Sequence, residues 1–353
     1  MDNKETISGL CRANFQRVID GKETDLFILK NKNGYEVAVT NYGGAIVAIM
    51  VPDRDGKLAN VIQGYDSIEA YQQASEPFLS TLVGRYAGRI AGGKFHLNGK
   101  EYNVATNCGG NHLHGGPTGF HARVWDAEQV GDQTLVLRYV SAYYEEGFPG
   151  ELTMAVRYSW TDDNELYIDY RGTTNKKTLV NMTHHGFFCL QGVGAPTTSA
   201  MEQQVMINAD YFLPIGDKMI PTGEIRSVEG TCMDFRAAHA VSDKLGCDCE
   251  QIKLAGGYDH CFVLRKQQEG EFALAARVCE PTTGRIMEVL TTEPGLQFYT
   301  ANFSKMDKFP ARSALCFEAQ HFPDSPNHPY FPSVVLQPGE VYKQKTVYRF
   351  DAE

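Results

Sequence analysis

Apolar and polar residues alternate with a period of two along much of this chain. In "ELTMAVRYSW" Leu152, Met154, Val156, Tyr158 and Trp160 fall on one face, and Thr153, Ala155, Arg157 and Ser159 on the other. "NELYIDYRG" repeats the pattern, with Leu166, Ile168 and Tyr170 set against Tyr167, Asp169 and Arg171. Successive side chains of a strand point to opposite faces, so each run predicts a strand with one face in a core. "TLVLRYVS", "HCFVLRK", "RIMEVLTT" and "SVVLQP" are further short strands bounded by turn residues, and "PTTGR" between two such runs predicts a hairpin turn. Helical patterns are few and short: "SIEAYQQ" near residue 70 and "MDFRAAHAV" near residue 237.

Many short strands, few helices and 34 glycines predict an all-β protein, and a length of 353 residues favours a large antiparallel two-sheet sandwich over a small barrel. No Pro/Ser linker, low-complexity segment or internal repeat divides the chain, so one domain is expected over residues 1–353.

The formal net charge of -10 disfavours nucleic acid and anionic membrane surfaces as partners. No run nears the roughly 20 apolar residues of a membrane helix, and "MDNKETISGL" lacks a secretory signal pattern. The nine cysteines are odd in number and form no CxxC pair, which fits reduced thiols in the cytoplasm.

Four polar clusters interrupt the β pattern. "VGRYAGRIAGGKFHLNGKEY" runs toward "NHLHGG", where His112 and His114 precede paired glycines. Standing alone, Arg85 and Arg89 read as solvated arginines of a twisted loop; the chemical alternative is that Arg89 donates to ligand oxygens. In "NMTHHGFFCL" the neighbours His184 and His185 must face opposite ways if extended, so one can enter a site while the other packs elsewhere. Asp259 opens the strand of "GGYDHCFVL", as a turn cap or as an acceptor for hydroxyls. Glu318 follows Leu315, Cys316 and Phe317, and a carboxylate in such a run is costly unless paired or functional. Its burial would raise its pKa toward the range of a general base.

No HExxH, Cys/His finger spacing, GxGxxG, P-loop or GxSxG occurs, so metal, nucleotide-cofactor and serine-hydrolase chemistry have no motif behind them. A buried carboxylate, histidines from separate segments, an arginine, an aspartate and aromatics together suit a neutral polyhydroxylated molecule and proton transfer to it.

"VTNYGGAIVAIMVPDRDGK", "GRYAGRIAGGKFHLNGKEY", "NHLHGG", "NMTHHGFF", "GGYDHCFVL", "TTEPGLQFYTANF" and "FEAQHFPDSPNHPYFP", in this order over about residues 34 to 348, resemble the aldose 1-epimerases, or galactose mutarotases. The resemblance implies an antiparallel β-sandwich with a sugar cleft and interconversion of the α and β anomers of free hexoses without a cofactor or metal. It implies Glu318 as general base, His185 as general acid and His114 assisting at the ring oxygen, with Arg89, Asp259 and Gln297 binding the sugar. His112 is left structural. The partner implied is a small sugar, with no nucleic acid, membrane or obligate protein partner. Two positions depart from the family pattern: Gly88 precedes Arg89, and His184 precedes His185, where the family usually has Asn. Both bear on sugar preference. A sugar-binding protein that has lost catalysis would lack the acid or the base, and a hexose-phosphate epimerase would want further cations at the cleft.

Overall fold

The computed structural model describes residues 6–302 and 308–353. The first five residues of the stretch read for a signal, and Phe303 at the end of "TTEPGLQFYTANF", lie outside the described residues. The architecture is mostly β and antiparallel. Its largest sheet has nine strands, in the order 126–130, 134–141, 152–160, 165–174, 342–352, 285–291, 273–279, 204–207 and 239–240. A six-stranded sheet runs 187–188, 315–320, 295–299, 259–264, 209–212 and 226–227, and a four-stranded sheet holds 26–30, 36–40, 46–52 and 58–60.

The alternation places the core. Leu152, Met154, Val156, Tyr158 and Trp160 of the nine-stranded sheet are all fully buried and join one apolar cluster with Phe262, Leu296, Phe298, Leu315 and Phe317 of the six-stranded sheet. The two sheets therefore pack inner face to inner face as a sandwich. Residues 281–284 turn between the paired strands Ala273–Cys279 and Arg285–Thr291, where Glu280 accepts the Thr282 and Thr283 N–H groups. "SVVLQP" contributes only Val335–Leu336, paired with Thr178–Leu179.

The helix at Ile68–Gln73 forms as expected, capped by the Ser67 hydroxyl, which accepts the Ala70 N–H. "MDFRAAHAV" is not helical. The Asp234 carboxylate accepts the Arg236 backbone N–H and the Nε and Nη2 hydrogens of its guanidinium, a local turn that competes with helix. His239–Ala240 then pairs with Gln204–Val205 at the sheet edge. The helical turns lie further on, at Ser242–Leu245 and Glu250–Ala255.

Candidate active site

The outer face of the six-stranded sheet carries polar residues where its inner face carries apolar ones. On strand Leu315–Gln320, Leu315, Phe317 and Ala319 enter the core, so Glu318 and Gln320 face the other way. On the next strand Gln297 is the register partner of Glu318, and on the third Asp259 lies diagonally from Gln297. The Gln297 amide donates to the Asp259 carboxylate at 2.6 Å.

Three loop segments build the opposite wall. Arg89–Ile90 pairs with His112–Leu113. The His114 N–H then donates to the Gly88 carbonyl, and the Gly88 N–H donates to His114 Nδ1 at 3.2 Å. That bond makes Nδ1 an acceptor, so neutral His114 carries its proton on Nε2. His114 has φ 52°, a left-handed conformation costly for a residue with a Cβ. The paired glycines after it have a steric cause. A Cβ on Gly115 would collide with the Gly84 carbonyl, and one on Gly116 with the Glu146 carboxylate. In the third segment the His185 N–H bonds the Thr81 carbonyl, and its ring stacks on Phe187 at 4.8 Å.

These elements enclose a cavity of about 420 Å³ lined by Arg89, His114, His185, Asp259, Gln297 and Glu318. All six residues expected from the sequence meet there. Larger hollows of about 790 and 1030 Å³ contain none of them. His185 Nε2 stands 3.6 Å from Glu318 Oε1, and the His114 ring is 5.2 Å from that of His185. Arg89 Nη2 lies 3.5 Å from Asp259 Oδ2. Several buried polar atoms at this surface have no protein partner: Glu318 Oε2, His185 Nδ1, Gln297 Oε1, Arg89 Nε and both side-chain atoms of Gln320. Such atoms are the complement of a polar ligand.

Burial dominates the titration. It raises the Glu318 pKa far above the usual carboxylate range, Asp259 adds to the rise, and Arg89 opposes it. Burial also pushes His185 down to about 4, with Asp259 pulling the other way. His114 is lowered well below the ordinary imidazole value by burial and by the neighbouring His185 and Arg89 charges. Burial thus favours the neutral forms, with the proton shared by Glu318 and His185 on the carboxyl rather than on the imidazole.

His114, His185 and Glu318 offer ligand atoms within 4.8 Å of one another, a set able in principle to hold a cation. A metal-bound histidine normally donates its other ring N–H to an oriented partner. His185 Nδ1 is buried with none, so the surroundings do not fit a built metal site.

The remaining histidines sort by face. His184 turns its ring edge to Tyr158 in the core, and His112 bonds the Ala105 carbonyl and packs on Phe148. Both stay outside the cleft lining. Arg85 is not solvated. It is 2% exposed and donates to the carbonyls of Ser141, Ala142, Pro149 and Gly150. Arg89 is largely buried at the cleft. The sequence reading missed Glu76, Phe78, His121, Tyr299 and Gln320 in the lining. Phe78 packs its ring on His114 and His121, at 4.8 and 4.5 Å, and so locks the orientation of both.

The aldose 1-epimerase family model matches residues 25–349. The chain belongs to the aldose 1-epimerase family. It is 41% identical over 321 residues to the galactose mutarotase of Bos taurus, covering 89% of this chain and 90% of that protein. It is 36% identical over 344 residues to the aldose 1-epimerase of Escherichia coli K12, covering 95% and 97%. The solved structure of a galactose 1-epimerase from Lactobacillus acidophilus superposes with a TM-score of 0.83 at 28% identity, covering 95% of this chain and 97% of that one. An aldose epimerase homologue from C. elegans gives 0.85 at 28%, covering 93% and 99%. This aldose 1-epimerase is therefore an isomerase acting on carbohydrate, on a mostly-β fold shared with those structures.

Proposed function

We propose that the cleft opens and recloses the pyranose ring of free hexoses such as galactose and glucose, with Glu318 as general base, His185 as general acid and His114 donating to the ring oxygen through Nε2–H. The observation that carries this reading is the convergence of Glu318, His185 and His114 on one small volume of the cleft floor. O1 and O5 of a pyranose sit on one carbon, so neighbouring groups can serve both.

The sugar hydroxyls and the Arg89 charge draw the shared proton from Glu318 to His185 as substrate binds. Glu318 then removes the C1 hydroxyl proton while His185 protonates O5, and the C1–O5 bond breaks. The aldehyde turns about C1–C2, and the two transfers run backward on its other face. Each opening and closing returns the pair to its starting protonation, so no external proton donor is needed. Each positioned acid or base contributes about 10²–10⁴-fold, and fixing the sugar adds to that.

Arg89, Asp259 and Gln297 hold the ring hydroxyls in this reading. An unphosphorylated sugar is favoured because Arg89 is the single Lys or Arg among the described residues lining the cleft, beside Glu76, Asp259 and Glu318. The reading treats the chain as one domain, which its continuous core supports. It places the protein in the cytoplasm on the strength of nine unpaired cysteines. No described helix is long and apolar enough to cross a membrane.

Polarimetry on freshly dissolved α-D-galactose and α-D-glucose tests the proposal. The protein should hasten approach to the same final rotation. A folded protein that accelerates neither sugar overturns it.

A further inference from the structure

The cleft floor holds a polar side chain that the proposed chemistry leaves unused. Gln320 follows Glu318 by two residues on one strand, so both side chains leave the same face of the sheet. Gln320 is 0% exposed, lines the cavity, and neither its carbonyl oxygen nor its amide nitrogen has a hydrogen-bond partner. Other buried glutamines bond at least one side-chain atom inside the protein. Gln251 bonds both the N–H and the carbonyl of Ile215, Gln63 donates to Ser313, and Gln344 donates to the Ala319 carbonyl. A buried carboxamide with nothing to bond is costly, and Gln320 adjoins a cavity from which a partner can come.

Glycine backbone, not a side chain, adjoins the Gln320 amide. Gly88 lies across the cleft, and a Cβ there would come within 3.3 Å of Gln320 Nε2 and 3.2 Å of Pro323. Gly88 has φ 79°, where any larger residue is strained as well as crowding. An unsatisfied donor and acceptor at the cavity wall suit a group that both donates and accepts, which is the chemistry of a hydroxyl.

We propose that Gln320 is a further substrate-binding residue, engaging one ring hydroxyl of the hexose whose C1 end faces Glu318, at the cavity wall beside Gly88. The proposal rests on the anomer-interconversion reading for the identity of the ligand, and its test separates the two. Gln320→Met keeps the chain length and removes the amide. KM and kcat for anomer exchange would be measured on D-galactose and on its 2-, 3-, 4- and 6-deoxy forms, for the wild type and for this variant. A hydroxyl left without its buried partner should raise KM by about tenfold to a hundredfold, with kcat changed far less. For one deoxy sugar, the one lacking the engaged hydroxyl, wild type and variant should converge.

An unchanged KM on galactose, or the same ratio of variant to wild type for all five sugars, overturns the proposal, because a packing defect does not single out one hydroxyl. If Gln320→Met does not fold by circular dichroism, Gln320→Asn carries the same comparison, since it withdraws the amide by one methylene. A wild type that exchanges no anomers sinks the proposed reaction instead. Calorimetric titration of the same five sugars then reads Gln320 alone: selective weakening upholds it, and no sugar binding to the wild type removes it.

Discussion

His185 Nε2 lies 3.6 Å from Glu318 Oε1, with the carboxylate 1% exposed and the imidazole 5% exposed. Two groups this close titrate as a pair, and the pair works while it holds one proton.

That sets the pH dependence. On the acid side activity is lost when His185 gains a second proton for the pair, and burial has moved that step down to about 4. On the alkaline side it is lost when the pair's only proton leaves, a step moved up by the burial of Glu318. An unshifted Glu and His would hold one proton only between their ordinary values of about 4.3 and 6.5. The kcat/KM profile, which reports the free enzyme, should therefore be flat through pH 6.5, with its acid limb near 4. The charges facing the pair are Asp259, Arg89 and Glu76, and Glu76, which burial raises to about 7, should show in KM at the cleft rim rather than in kcat. A kcat/KM that already falls by pH 6.5 would contradict this.

Glu318→Gln keeps the shape of the side chain and removes the base. Turnover should fall by about 10²–10⁴-fold while circular dichroism and the melting curve stay close to wild type. His185→Asn should lose turnover on the same scale. If instead KM alone rises in the histidine variant, His185 binds the sugar rather than protonating it.

A strong chelator should leave turnover unchanged, because His185 Nδ1 lacks the oriented partner a metal-bound histidine needs. Activity lost to the chelator and restored by added zinc would overturn this.

Arg85→Met should destabilise the fold, since it leaves the buried carbonyls of Ser141, Pro149 and Gly150 without this donor. Each buried group left unpaired costs about 1–3 kcal/mol, so a loss of at least about 3 kcal/mol is expected. Urea denaturation measures it. A loss below 1 kcal/mol would mean that the loop rearranges to satisfy these carbonyls another way.

Strands were legible where one face is buried. Leu152–Trp160 alternates as its side chains do, and the same rule sent His185 into the cleft and His184 into the core. Glu318 stood out because a carboxylate is conspicuous in an apolar run. Gln320, two residues on, did not, because an uncharged amide at the end of a strand looks ordinary until its missing partners are seen. Arg85 and Arg89 are four apart in one glycine-rich segment and look alike in sequence. Only the folded chain shows that one is wrapped by carbonyls and the other faces a cavity. "MDFRAAHAV" misled because its apolar spacing fits a helix, while the Asp234 side chain closes a turn that spacing does not encode.

The position of strand Tyr342–Ala352 in the nine-stranded sheet has a consequence for biosynthesis. It lies between Glu165–Thr174 and Arg285–Thr291, both made before it. Until it emerges the sheet exists as two halves, each with a raw edge of unpaired backbone groups, the kind of edge that recruits other chains. The nascent protein thus remains vulnerable to aggregation until this strand is made, and a premature stop before residue 342 should yield insoluble product rather than a weakened enzyme.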